Sequence, residues 1–131
     1  MARLDVAVGV LFNSNNQVLI GQRLVNDDYY QKWEFPGGKI ESGESPEQAL
    51  RRELDEELAI DVEEFEFLIE HLHDYPDRQV RLFVYRINNF KGEPVGREGQ
   101  ALRWVTLEEL ESLDFLKGNY PIVDQLLLIA T

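Results

Sequence analysis

The chain has 131 residues, 44% of them hydrophobic, with seven Phe, five Tyr and two Trp, which suits one folded domain over 1–131 and argues against a disordered polypeptide. Its formal net charge of −12 removes the basic footprint that binding a DNA or RNA polymer requires, while a small anionic ligand stays compatible wherever divalent cations reverse the local field. The absence of cysteine excludes disulfides, thiol catalysis and Cys-ligated zinc and suits a reducing cytoplasm, and no run nears the roughly twenty apolar residues of a membrane span.

The opening "MARLDVAVGVLF" carries Asp5 and no small-residue cleavage pattern, so it reads as a first strand over 3–12 rather than a leader. "NSNN" at 13–16 is turn chemistry and "QVLIGQR" at 17–23 a returning strand, which together predict a hairpin. "LVNDDYYQKW" reads as a loop, followed by a short "EF" strand stopped by Pro36-Gly37-Gly38. Ser45 as N-cap, Pro46 at the first helical position and Gln48 closing a capping box predict a helix over 46–58. Strands at 65–74 and 80–88 flank the turn "YPDRQ", and a Gly/Pro-rich loop, "NNFKGEPVGREGQ", precedes a last strand, "ALRWV". Thr106 with Glu109 is a second capping-box signal, and the tail from Pro121 reads as an apolar-faced helix. The fold class is therefore α/β (α+β), with no internal repeat.

On the 46–58 helix, Leu50, Leu54 and Leu58 form one apolar row, while Glu53, Glu56 and Glu57 point the same way. Like charges at that spacing cost a few tenths of a kcal/mol per pair. The cluster is either a solvated acidic face, partly neutralised by Arg51 and Arg52, or a set of oxygen donors for a hard cation such as Mg²⁺. The wider spacing decides. Gly38, five residues, Glu44, seven residues, Arg52-Glu53, Leu54, one residue, Glu56-Glu57, one residue, then Ala59 and Ile60 resembles the signature of the Nudix hydrolase family. Six fixed identities coincide by chance on the order of once in ten million start positions. One position departs from the family pattern, which has Gly where this chain has Ala59. A Gly there supplies the left-handed residue that closes a helix, so Ala59 is expected to carry about 1 kcal/mol of strain.

The resemblance implies an α/β/α sandwich around a mixed sheet and metal-dependent cleavage of a nucleoside diphosphate linkage. It implies that Glu53, Glu56 and Glu57, with the Gly37 carbonyl, ligate Mg²⁺, Mn²⁺ being the alternative, and that one carboxylate is the general base. Glu53 is the first choice for that base and Glu98, in "GREGQ", the second choice and a further ligand. Arg52 is expected to orient a ligating glutamate, Lys39 to contact phosphate and Glu44 to hold the loop against the helix. Further segments, "VAVGV" at 6–10, "EFPGGKIESGESPEQALRREL" at 34–54, "YPDR" at 75–78, "GEPVGREGQ" at 92–100 and "NYP" at 119–121, are similar to the branch of the family that hydrolyses 8-oxo-dGTP. That likeness implies nucleotide contacts from Arg23, Glu34, Phe35, Pro36, Gly37, Arg78 and Asn119. Asp28 completes the set from a loop position where that branch carries a different residue. An amide such as Asn119 offers the donor and acceptor that reading a purine edge requires, and if the last helix starts at Pro121 its side chain is left for a ligand. Tyr75 or Phe35 could stack on the base, although packing is the commoner fate of such aromatics. The expected partner is a small nucleotide, with no membrane or nucleic-acid polymer, and the protein is expected to be a cytoplasmic monomer. His71 and His73 share one face of a strand, but no third ligand stands near them in sequence, so zinc is not expected.

Overall fold

A computed structural model describes residues 3–24 and 27–129. The chain runs β1 (Arg3–Leu11), β2 (Gln17–Gln22), β3 (Trp33–Glu34), β4 (Gly37–Lys39), α1 (Pro46–Leu58), β5 (Asp61–Asp74), β6 (Gln79–Lys91), β7 (Ala101–Thr106) and α2 (Tyr120–Ile129). Short 3₁₀ turns at Glu108–Ser112 and Lys117–Asn119 lead into α2. Residues 1–2 and 25–26, which the sequence places in the first strand's approach and in the loop after β2, lie outside the described residues.

Strands β4-β1-β6-β5 form a mixed sheet, in which β1 and β6 are parallel and the other pairs antiparallel. β3-β2-β7 form a second, antiparallel sheet. Along β1, alternate side chains enter different cores. Ala7 and Leu11 pack with Leu50, Leu54 and Leu58 of α1, whereas Val8 and Val10 pack with Ile122, Val123 and Leu126 of α2. This strand, buried on both faces between two helices, gives the expected α/β/α layering. Gly9 lets α1 approach closely, since a Cβ there would lie 2.9 Å from Leu54 Cδ1.

The expected hairpin is not formed. Asn13 turns the chain, its N–H donating to the Gln17 carbonyl at 3.0 Å, but only an isolated Phe12–Val18 bridge joins the two arms before they enter different sheets. The turn chemistry is local and was readable, whereas partner choice followed the burial of both faces of β1. The short strand does end ahead of Pro36, but it covers Trp33–Glu34 rather than "EF", and Gly37-Gly38 at once starts β4, which pairs with Val6–Val8. β5 begins at Asp61 rather than 65, and β6 continues through Lys91, absorbing the start of the presumed loop. The Thr106–Glu109 box forms, with reciprocal bonds of 3.0 and 3.2 Å, yet it caps only a 3₁₀ turn. α2 starts one residue early, at Tyr120.

The capping box on α1 is complete. The Gln48 N–H donates to Ser45 Oγ at 3.1 Å, and the Ser45 N–H donates to Gln48 Oε1 at 2.9 Å. At the other end Ala59 is left-handed, φ 59° and ψ 38°, with its N–H donating to the Asp55 carbonyl. Ala59→Gly is expected to stabilise the protein by up to about 1 kcal/mol, read as a higher thermal midpoint. An unchanged or lower midpoint would show that Ala59 is unstrained.

Candidate active site

The helix α1 and the glycine pair of β4 build one wall of a cleft. Glu53 is half-buried against Gly38, so closely that a Cβ on Gly38 would lie 2.1 Å from Glu53 Cδ. Gly37 donates its N–H to Glu57 Oε2 at 3.3 Å. Glu56, one helical turn away, is exposed and among the described residues bonds only Arg52, at 3.3 Å. Arg52 is the hub of this wall. Its Nε and Nη2 grip the Glu44 carboxylate at 2.7 and 2.8 Å, its Nη1 donates to Glu53 at 2.8 Å, and Nη2 reaches the Lys39 carbonyl at 2.9 Å. The guanidinium, anchored by Glu44 and the Lys39 carbonyl at the end of β4, therefore fixes Glu53 directly, a planar fork suited to carboxylates.

Bonding to Arg52, then the Glu41 N–H, holds the Glu44 carboxyl down at about 2, against an ordinary 4.5. A depressed carboxylate contributes stability above its unfolded value and loses it as pH falls through the folded one. The difference in thermal midpoint between wild type and Glu44→Gln is therefore expected to be steady above about pH 5 and to close towards pH 2. A difference that persists at pH 2 would mean that the Glu44 charge is not what matters.

Two adjoining hollows share Arg23 and Glu34. One, of 210 Å³, is bounded by Glu57, Glu98, Gln100 and Pro36. The other, of 250 Å³, is bounded by Phe35, Gly38, Lys39, Arg78 and Asn119. Burial first, then the charges of Glu34 and Glu98, push Glu57 up to about 8. Burial also raises Glu34, partly countered by Arg23. Arg23 is already bonded to Asp27 at 2.9 Å and stands 3.9 Å from Glu34. The first hollow thus collects more carboxylate charge than its cations offset.

Among the described residues, no three His, Asp or Glu side chains stand in a ready metal-binding group. The donor set nevertheless fits a hard divalent cation: Glu57, Glu98 and nearby Glu53 supply oxygen, and their mutual repulsion is what a cation would relieve. The His71 and His73 rings lie 6.1 Å apart, with His73 against Tyr75.

At the far end, Asn119 is buried, and its Oδ1 accepts the Phe35 N–H at 3.0 Å. The side chain is therefore not wholly left for a ligand, as the position of the last helix had suggested: Oδ1 secures β3 while Nδ2 carries no hydrogen bond among the described residues. Phe35 stacks on Phe115 at 5.4 Å, and the Tyr75 hydroxyl accepts the Gly118 N–H at 2.8 Å, so both aromatics are packing elements that edge the cleft. The guanidinium of Arg78 lies over the rings of Tyr29 and Tyr75, 5.8 and 5.9 Å from their centroids. The Nε atoms of Arg23 and Arg78 are buried without a partner, donors that an anionic or oxygen-rich ligand would satisfy. Lys39 is exposed at the rim of the second hollow. Asp28 is not brought to this cleft. It is exposed and edges a separate hollow with Lys32, Asp114 and Lys117, because the loop turns away after Asp27 engages Arg23. Gln100 was not singled out by sequence, since its Nε2 meets Glu57 of α1, 43 positions away.

This architecture, with its glycine-backed acidic helix, is that of a Nudix hydrolase. Residues 2–126 match the NUDIX domain family, and the chain belongs to it. It is 40% identical over 126 residues to the 8-oxo-dGTP diphosphatase of Escherichia coli K12, covering 96% of this chain and 98% of that one. A solved MutT from the pair Aliivibrio salmonicida and Vibrio cholerae superposes with a TM-score of 0.78 at 38% identity, covering 95% of this chain and 96% of the other. The CTP pyrophosphohydrolase of E. coli K12 is 32% identical over 117 residues, 89% of this chain and 87% of that one.

Proposed function

We propose that this Nudix hydrolase converts 8-oxo-dGTP to 8-oxo-dGMP and pyrophosphate, removing an oxidised precursor before replication can use it. One observation carries the reading: the hollow edged by the Asn119 amide joins, through Arg23 and Glu34, a second hollow where Glu57 and Glu98 crowd. A nucleotide with its base at Asn119 and its phosphates towards the carboxylates fits that layout. The similarity to 8-oxo-dGTP diphosphatases supports the same substrate.

Glu53, Glu56, Glu57, Glu98 and the Gly37 carbonyl are the groups proposed to hold Mg²⁺ or Mn²⁺. Bound there, the cation would offset polyphosphate charge and acidify the attacking water. Glu53, held in place by Arg52, would take the proton of the attacking water as the anhydride bond between the α- and β-phosphates breaks. Lys39, Arg23 and Arg78 contact phosphate or sugar. At the base, Asn119 Nδ2 donates to O6, and the remaining lone pair of Oδ1 accepts from N7–H, which 8-oxoguanine has and guanine lacks. The enzyme is proposed to work as a cytoplasmic monomer.

A hydrolysis panel of 8-oxo-dGTP, dGTP and CTP, with and without EDTA and with products identified, tests the reading. The expected result is EDTA-sensitive release of pyrophosphate, with much higher kcat/KM for 8-oxo-dGTP than for dGTP. Equal efficiency, or a preference for CTP, would assign the enzyme to another nucleotide.

A further inference from the structure

The loop from Gly92 to Gln100 is sewn to the C-terminus of α1. That helix has no basic residue in its own last turn. Arg97 supplies one from the loop, donating from Nη1 to the Asp55 carbonyl at 2.9 Å and from its backbone N–H to the Glu57 carbonyl at 3.1 Å. The Val95 N–H donates to the Leu58 carbonyl at 3.0 Å. The two backbone donors satisfy the Glu57 and Leu58 carbonyls that the helix end leaves unpaired, the Arg97 side chain adds a second donor to the Asp55 carbonyl already paired with Ala59, and the cation complements the helix dipole.

Within this junction the Gln100 side chain spans both parts. Its Oε1 accepts the Glu98 N–H at 3.0 Å, while its Nε2 approaches the Glu57 carbonyl and Glu57 Oε1, each at 3.5 Å. Glu57, Glu98 and Gln100 border the same hollow. Glu98 is exposed on its loop, and this amide ties its backbone to the helix bearing Glu57. An uncharged donor–acceptor serves here because another carboxylate would add repulsion and a cation would compete for the carboxylate oxygens.

We infer that Gln100 is a positioning residue whose side-chain amide holds Glu98 beside Glu57, so that both carboxylates can serve one divalent cation. The inference rests on the cation site proposed above, but not on which nucleotide is cleaved.

Calorimetric titration of the nucleotide-free protein with Mn²⁺ tests it, using wild type, Gln100→Met, Glu98→Gln and the double variant. Gln100→Met keeps the side chain's length and removes the amide. It is expected to weaken Mn²⁺ binding about tenfold or more, the usual effect of losing a group that orients a ligand. In the Glu98→Gln background the same change is expected to cost less than about threefold, because its target is already gone. Unchanged affinity in Gln100→Met, or equal losses in both backgrounds, would overturn the inference. Thermal unfolding of each variant confirms that folded protein is titrated, and Gln100→Asn, whose amide is one methylene shorter, replaces Gln100→Met if that variant fails to fold. An unexpected nucleotide preference in the hydrolysis panel leaves this titration untouched, so the two proposals fail separately.

Discussion

Gly38→Ala is expected to lower kcat by about 10²–10⁴-fold, the range over which a positioned acid or base contributes, while leaving the thermal midpoint nearly unchanged. The added methyl would lie 2.1 Å from Glu53 Cδ, 2.2 Å from Oε2 and 2.6 Å from Oε1. What it meets is the far end of a flexible side chain, so the carboxylate moves and the backbone does not. Gly38 needs no positive φ, which makes alanine acceptable to the main chain itself. The variant should therefore match Glu53→Gln in rate and wild type in stability. Steady-state kinetics beside thermal unfolding would check this. Turnover within tenfold of wild type would show that the position of Glu53 is not critical to the chemistry.

Asn119→Ala is expected to have two effects at once. It leaves the buried Phe35 N–H without an acceptor, costing about 1–3 kcal/mol in denaturant unfolding. It also removes the amide proposed to read the base, so the preference for 8-oxo-dGTP over dGTP should collapse by about tenfold or more. Asn119→Asp separates the two, because a carboxylate still accepts from Phe35 but cannot donate to O6. That variant should lose most of the preference with the Phe35 bond intact, and its loss of stability, caused by burying an unpaired carboxylate, should shrink as the pH falls. If both nucleotides slow equally in Asn119→Ala, the residue is a strut for β3 and the base is read elsewhere.

The acidic helix, its caps and its glycines were legible from sequence because each depends on residues within a few positions of one another. Ser45 and Gln48 meet across one turn, Leu50, Leu54 and Leu58 share a face by helical spacing, and Ala59 stands out where a left-handed residue is required. The family signature lies in the same continuous stretch, so membership could be read there too. The separation of β1 from β2 could not, since turn residues specify a reversal without choosing which strands then pair.

The proposed substrate cleft shows the same boundary. The chain's residue order supplied the proposed acidic ligands, Arg52 and the candidate base reader Asn119. Only tertiary contacts committed Asn119 Oδ1 to Phe35, 84 positions away, carried Asp28 into another hollow, and laid the Gln100 amide against Glu57 across 43 positions. Helix turns and caps form by short-range bonding whose period is written along the chain, whereas these contacts exist because the two sheets and α2 bury apolar faces that bring distant segments together.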